Sequence, residues 1–350
     1  MLTPRTQRIK DALFARPRRI SLERALLYRE SYLETEGEPV VMRRALAFRR
    51  VLERHRIVID GDDLLVGNRT EEPRSGVVSP EMSPYWILDE LDEFPVRPQD
   101  TFDVSEEDKR TYREVLYPFW AGRSLNDWYV AHRPDEAGAA EKDRVFAVAQ
   151  TDKGQGHIIA DIGEVLDRGL GALLAEVEER RDAAPENDFL RAGALCVRAV
   201  IDYVRRYERI VREASEGRPV ADPNAFVAPA STPGRARELA RMADVLAHVA
   251  TEPCRDLYDA LQLAWLLCVA LQHESNASSI SLGRMDQYLL PYYRASVEAG
   301  AAAGEMRELL QCFYLKTNTV VFVRSTDSAR FFAGFPTGYN LVVGGVDAEG

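Results

Sequence analysis

The sequence predicts a helix-rich α/β fold, and three observations carry that prediction. Apolar residues recur at three- and four-residue steps over long stretches. Strand signals are few and short, at residues 57–59, 64–67, 319–323 and 340–343. The 350 residues are 46% hydrophobic and 29% charged, an ordinary globular balance with material for a large core.

Taken in order, Ser21 is read as the cap of a helix running to about Glu34, with Glu23 in its first turn. A second helix covers residues 39–55. The run Ile57-Val58-Ile59, the turn residues Gly61-Asp62-Asp63 and then Leu64-Leu65-Val66-Gly67 together read as a short hairpin. Residues 68–103 are rich in proline and acidic side chains and carry no regular signal beyond 85–91. Residues 106–120 read as a helix capped by Ser105, and residues 162–181 as another. The clearest period spans 188–214, where Leu190, Ala194, Val197, Ile201, Val204 and Tyr207 form one stripe. Residues 223–233 read as a loop ending at Ser231 and Thr232, which cap a helix with Pro233 in its first turn. Helices follow at 235–249, 256–272, 285–299 and 305–315. Strand signals return at 319–323 and 340–343, with no internal repeat. A strand followed at once by turn residues normally feeds another element, so the sequence is expected to be the front part of something longer.

The net charge of −11, with signs interleaved along the chain, argues against nucleic-acid binding, which needs a basic surface. Residues 1–19 are basic without an apolar core segment, and the most apolar segment, 257–271, is shorter than the roughly 20 residues of a membrane helix. The expectation is a cytoplasmic protein with no membrane partner. Cys196, Cys254, Cys268 and Cys312 lie far apart with no CxxC pair, and the five histidines complete no metal-ligand spacing with them. No disulfide and no metal site are expected.

Three segments look unlike scaffold. Lys153-Gly154-Gln155-Gly156-His157 places a histidine after glycines that permit close backbone approach. It reads as a pocket residue for a small substrate, or as a histidine at a helix start capped by Asp161. His273-Glu274-Ser275-Asn276-Ala277-Ser278-Ser279 follows the most apolar helix. Its hydroxyls and amides either satisfy local backbone as a serine-rich turn or face a polar ligand. Gly283-Arg284-Met285-Asp286-Gln287-Tyr288 reads as a salt-bridged helix start or as a support for the serine run. No phosphate-binding glycine loop and no GxSxG elbow occur.

In wording and order these segments resemble the large domain of glycyl radical enzymes, the pyruvate formate-lyase superfamily. The resemblance rests on Ser21-Leu22-Glu23-Arg24-Ala25 through Pro39, on Ile57–Ile59 with Leu64–Asn68, on Gly156-His157 with Asp161, on Glu274-Ser275-Asn276 through Tyr288, and on Ala333-Gly334-Phe335-Pro336 with residues 340–345. It implies that residues 1–350 are the N-terminal portion of a ten-stranded α/β barrel of two five-stranded halves. It further implies a cysteine that becomes a thiyl radical and a C-terminal glycine that stores the radical. The resemblance implies too that a radical-SAM activating enzyme installs that radical and that the full-length protein is a homodimer. Neither the Gly-Cys-x-Glu setting nor the radical glycine motif occurs in these residues, so no catalytic residue, bound cofactor or metal is assigned.

The wording is closer to the dehydratase and eliminase branch than to pyruvate formate-lyase itself. That branch implies a small polar substrate undergoing C–O, C–N or C–S elimination, held by His157, Ser278 and Ser279. The glycerol type carries Gly-His-Ser where this sequence has Ala277-Ser278-Ser279, and Ser278 in the histidine position shifts the expectation away from glycerol. The alternatives are formate C-acetyltransferase chemistry, or a non-catalytic fragment or scaffold that needs a second chain. By itself the chain is expected to be inactive.

Overall fold

The computed structural model describes residues 1–143, 145, 157–274, 279–332, 334 and 338–346. Helix α1 (Pro4–Ala15) starts at a capping box formed by Thr3 and Thr6 and leads into β1 (Ile20–Ser21). Ser21 is therefore strand and does not cap α2 (Glu23–Glu34), whose N-cap position is Leu22 with no side-chain hydrogen bond. Glu23 serves elsewhere: its carboxylate accepts the Arg56 N–H at 2.7 Å, tying the start of α2 to the chain entering β2 (Ile57–Ile59). Between them lies α3 (Val40–Arg54), as expected.

Next come β3 (Gly76–Val77), α4 (Tyr85–Glu90) and α5 (Glu106–Thr111), with Ser105 accepting the Asp108 N–H. A π-helical turn (Tyr112–Leu116) and α6 (Tyr117–Trp120) continue that helix. Then follow α7 (Leu125–His132), α8 (Asp135–Lys142), β4 (His157–Ile158), α9 (Ile162–Ala183) and α10 (Asp188–Ser215). α9 is kinked at Gly169 (φ 76°), where a Cβ would come within 2.5 Å of the Thr251 carbonyl.

β5 (Ala225–Val227) falls inside the stretch read as loop. Thr232 then caps α11 (Pro233–Val249), with Pro233 in the first turn, and α12 (Leu257–Glu274) and β6 (Ser279–Ile280) follow. The helix expected over 285–299 is two pieces, α13 (Met285–Tyr288) and α14 (Leu290–Glu298), because Pro291 has no N–H to continue the ladder. α15 (Ala303–Thr317) and α16 (Thr326–Phe332) complete the described helices.

Every strand pair among the described residues is parallel, and each needs a long crossover. β1 pairs with β3, extended by single bridges from Arg19 to Asp103 and from Gly76 to Val321. β2 pairs with β5, Ile57 opposite Ala225. β4 pairs with β6, and Ser279 and Gly283 bridge onward to Gly338 and Leu341. The strand signals at 319–323 and 340–343 thus appear as single bridges in place of full strands.

The expected hairpin is absent, for a reason visible in α12. Leu64–Gly67 is held by side chains of that helix in place of a partner strand. Gln262 accepts the Val66 N–H at 2.9 Å and donates to the Val66 carbonyl at 2.8 Å. Trp265 Nε1 donates to the Gly67 carbonyl at 2.9 Å and Tyr258 Oη to that of Leu64 at 2.5 Å. Gly67 (φ 130°) must be glycine there, since a Cβ would meet Trp265 Nε1 at 2.7 Å. α12 is buried on nearly all sides and forms the axis of the main core, against α3, α9, α11, α14 and α15.

Candidate active site

The parallel ladder of β4 and β6 places His157 and Ser279 as register partners, and Ser279 bridges in turn to Gly338. Neighbouring strands run about 4.8 Å apart, so these three Cα positions form one short row across the sheet. The row is pinned by backbone hydrogen bonds: Ser281 N–H donates to the Ile158 carbonyl at 2.8 Å, Leu282 N–H to Asn340 at 2.8 Å and Val342 N–H to Gly283 at 3.0 Å. Ser279 is half-buried, and Gly338 adds no side chain. His157 and Ser279, more than 120 residues apart in sequence, are brought together. Ser278 and residues 275–277, like 151–156, lie outside the described residues. Asp161 caps α9 by accepting the Glu164 N–H at 3.1 Å. Gly338 escaped the sequence reading because a lone glycine after Pro-Thr reads as turn chemistry.

The end of α12 meets a buried polar chain. The His273 and His55 rings lie 4.6 Å apart between centroids. His55 Nε2 is 3.0 Å from Tyr203 Oη, Tyr203 donates to Tyr207 at 3.3 Å, and Tyr207 donates to Asn68 Oδ1 at 2.9 Å. With the Tyr203 proton committed to Tyr207, the His55 proton sits on Nε2. Burial, then Arg206, holds His55 down to about 3, and burial, then His55, Arg69 and Arg24, holds His273 well below its usual range. Both rings are neutral at physiological pH, so neither acts as a general acid there.

This has a consequence for acid stability. The unfolded chain protonates these rings near 6.5, whereas folded His55 takes a proton only near 3. The stabilisation is therefore complete above pH 6.5 and is lost as pH falls below it. From pH 8 to pH 5, His55 alone is expected to cost about 2 kcal/mol of stability. Urea unfolding of the parent and His55→Phe at both pH values should show a pH dependence smaller by about that amount in the variant. Equal pH dependence in the two would contradict it.

Arg284 and Asp286 form a two-point ion pair at 3.0 and 3.1 Å, and Asp286 also accepts the Gly344 N–H at 2.9 Å. The Arg284 hydrogen bond brings the Asp286 carboxyl down to about 2. This is the salt-bridged helix start foreseen for that segment, and it fastens the 344 region to α13. Of the cysteines, Cys268 and Cys312 are buried and Cys196 is half-buried. Burial raises Cys268 and Cys312 to about 12 and Cys196 to about 11, so none of these three is a ready thiolate. A cleft of about 290 Å³ opens between α1, α15 and the loop after β2, but it shares no residue with the His157–Ser279–Gly338 row. Its charges are already paired, Arg8 with Asp62 at 2.5 Å and Lys316 with Asp63 at 2.7 Å. No helix among the described residues is long and apolar enough to cross a membrane.

Known proteins share this chain's sequence pattern and fold. The sequence pattern of the family described as pyruvate formate lyase-like matches residues 2–350. The chain is 32% identical over 337 residues to the probable dehydratase YbiW of Escherichia coli (strain K12), covering 93% of this chain and 40% of that protein. It superposes with a TM-score of 0.92, at 32% identity, on the glycerol-bound B12-independent glycerol dehydratase of Clostridium butyricum, over 100% of this chain and 44% of that one. A glycyl radical enzyme from Archaeoglobus fulgidus matches at a TM-score of 0.89 and 29% identity, over 98% and 44%. The described architecture is thus that of an incomplete barrel of the glycyl radical type, and the chain spans about two fifths of the relatives' length.

Proposed function

Because the chain belongs to the pyruvate formate lyase-like family, we propose that it is part of a glycyl radical lyase or dehydratase that eliminates a C–O, C–N or C–S group from a small polar substrate. The observation that carries this reading is the row His157–Ser279–Gly338 across three parallel strands. Histidine and serine at paired register positions are residue types that donate to and accept from a substrate hydroxyl, and glycine at the third position adds no side chain. Ser278, from the motif wording, joins them in the proposed set. The radical itself belongs to segments whose motifs these 350 residues do not contain, and a radical-SAM activating enzyme installs it. The working enzyme is a cytoplasmic homodimer.

The test uses the polypeptide as expressed from its own gene, purified without oxygen and treated with an activating enzyme. It is offered a vicinal diol, an amino alcohol and a hydroxyalkyl sulfonate. Elimination of one of these, with an organic doublet in the EPR spectrum, is the expected result. In that enzyme Ser279→Ala and His157→Asn should each lower kcat/KM by about 10- to 100-fold, the worth of one or two substrate hydrogen bonds. Turnover of pyruvate with coenzyme A, and none of the three, would replace elimination by acyl transfer. The 350 residues alone should give no radical signal.

A further inference from the structure

We propose that Arg24, Tyr28 and Arg44 are positioning residues that clamp the C-terminal carbonyls of α12 and so fix where β6, the strand of Ser279, begins. This deepens the reading of Ser279 as a substrate contact and rests on it.

A helix ends with four carbonyls that have no partner within the helix, and its C-terminus carries partial negative charge. Gln272 and His273 are buried in the last turn of α12, so the carbonyls there need donors from elsewhere in the fold. They come from α2 and α3. Arg24 Nε donates to the His273 carbonyl at 2.8 Å and Nη2 to the Glu274 carbonyl at 3.1 Å, while Nη1 holds Glu81 at 2.8 Å. Arg44 Nη2 donates to the Glu274 carbonyl at 2.5 Å, and its Nε holds the Glu274 carboxylate at 2.9 Å. Tyr28 Oη reaches the Glu274 carbonyl at 3.2 Å, with the Arg24 guanidinium stacked 3.8 Å above its ring. Three donor side chains thus converge on one carbonyl, that of Glu274.

Only four residues separate Glu274 from Ser279. With one end held by α2 and α3 and the other by the Ile158 and Asn340 hydrogen bonds, β6 has little freedom to slide along β4. A slip of one residue would exchange Ser279 for Ile280 opposite His157. The Arg24 fork, aimed at two successive carbonyls, sets that register from outside the sheet.

Hydrogen exchange read by mass spectrometry on this chain tests the clamp in Tyr28→Phe, Arg44→Gln and Arg44→Lys, all of which leave the buried Arg24–Glu81 pair in place. In the first two, the Ser281 and Leu282 amides should exchange about tenfold faster, and the β2–β5 amides of Ile57 and Ala228 should keep their rates. Arg44→Lys, which keeps a charged donor near the carbonyl, should return exchange to within about threefold of the parent. Unchanged exchange at 281–282, or equal acceleration at β2–β5, overturns the clamp. In the active enzyme Tyr28→Phe should raise KM severalfold while kcat changes little. Accelerated exchange with an unchanged KM would overturn the link to substrate while leaving the clamp standing, which separates the two failures.

Discussion

Arg24→Ala should lower the free energy of unfolding by about 3–5 kcal/mol, the range for breaking one partner of a buried ion pair. Arg24 is 2% exposed and its partner Glu81 5%, so the alanine leaves a carboxylate enclosed without its counter-ion at 2.8 Å. Arg44 Nη1, at 3.8 Å from the same carboxylate, replaces only part of that interaction. The change also removes two of the donors at the end of α12. Urea unfolding followed by far-UV circular dichroism measures the loss. The double change Arg24→Met with Glu81→Leu should recover a substantial part of it, because the penalty lies in the unpaired charge more than in the missing bond. A loss under 1 kcal/mol for the single variant would mean that water reaches Glu81.

Gln262→Leu is the second large effect, expected at about 2–5 kcal/mol. Leucine nearly matches glutamine in volume and Gln262 is wholly buried, so packing changes little. What changes is that both the N–H and the carbonyl of Val66 lose their partner at once, in a stretch with no strand beside it. Removing one side of a hydrogen bond costs more than replacing both, and here two backbone groups are orphaned by one substitution. If Gln262→Leu unfolds at the parent's urea concentration, the loop at 64–67 finds its partners in water and the account of that loop fails.

These two side chains also show where the sequence was legible and where it was not. The helices could be read because their signal is local: the stripe from Leu190 to Tyr207 lies on one face of α10, and Thr232-Pro233 starts α11 as capping chemistry demands. The strands have two or three residues each and partners far along the chain, so Ala225–Val227 offered no pattern to distinguish it from a loop. Leu64–Gly67 looked like a strand because its composition suits burial in extended form, but its partner is a helix side chain, which no periodicity reveals. Arg24 and Tyr28 sit four residues apart on α2 with Ala25 and Ser31, a buried face that carries an arginine and therefore reads as a solvated one. Of the candidate site, His157 and Ser279 came from resemblance, and their proximity from the parallel register alone; Gly338 came from the structure.

The parallel pairing has a consequence for how such a chain is made. Ile57 cannot meet Ala225 until roughly 170 further residues have left the ribosome, which at about 5–20 residues per second is a wait of roughly 10–30 s. During that interval β2 presents open N–H and C=O groups, and helices α9 and α10 must already be in place for the crossover to close. Synthesis should therefore leave a nascent chain that binds holding chaperones until β5 emerges. Synonymous codons that slow translation between β2 and β5 would then raise the aggregated fraction without altering a single residue.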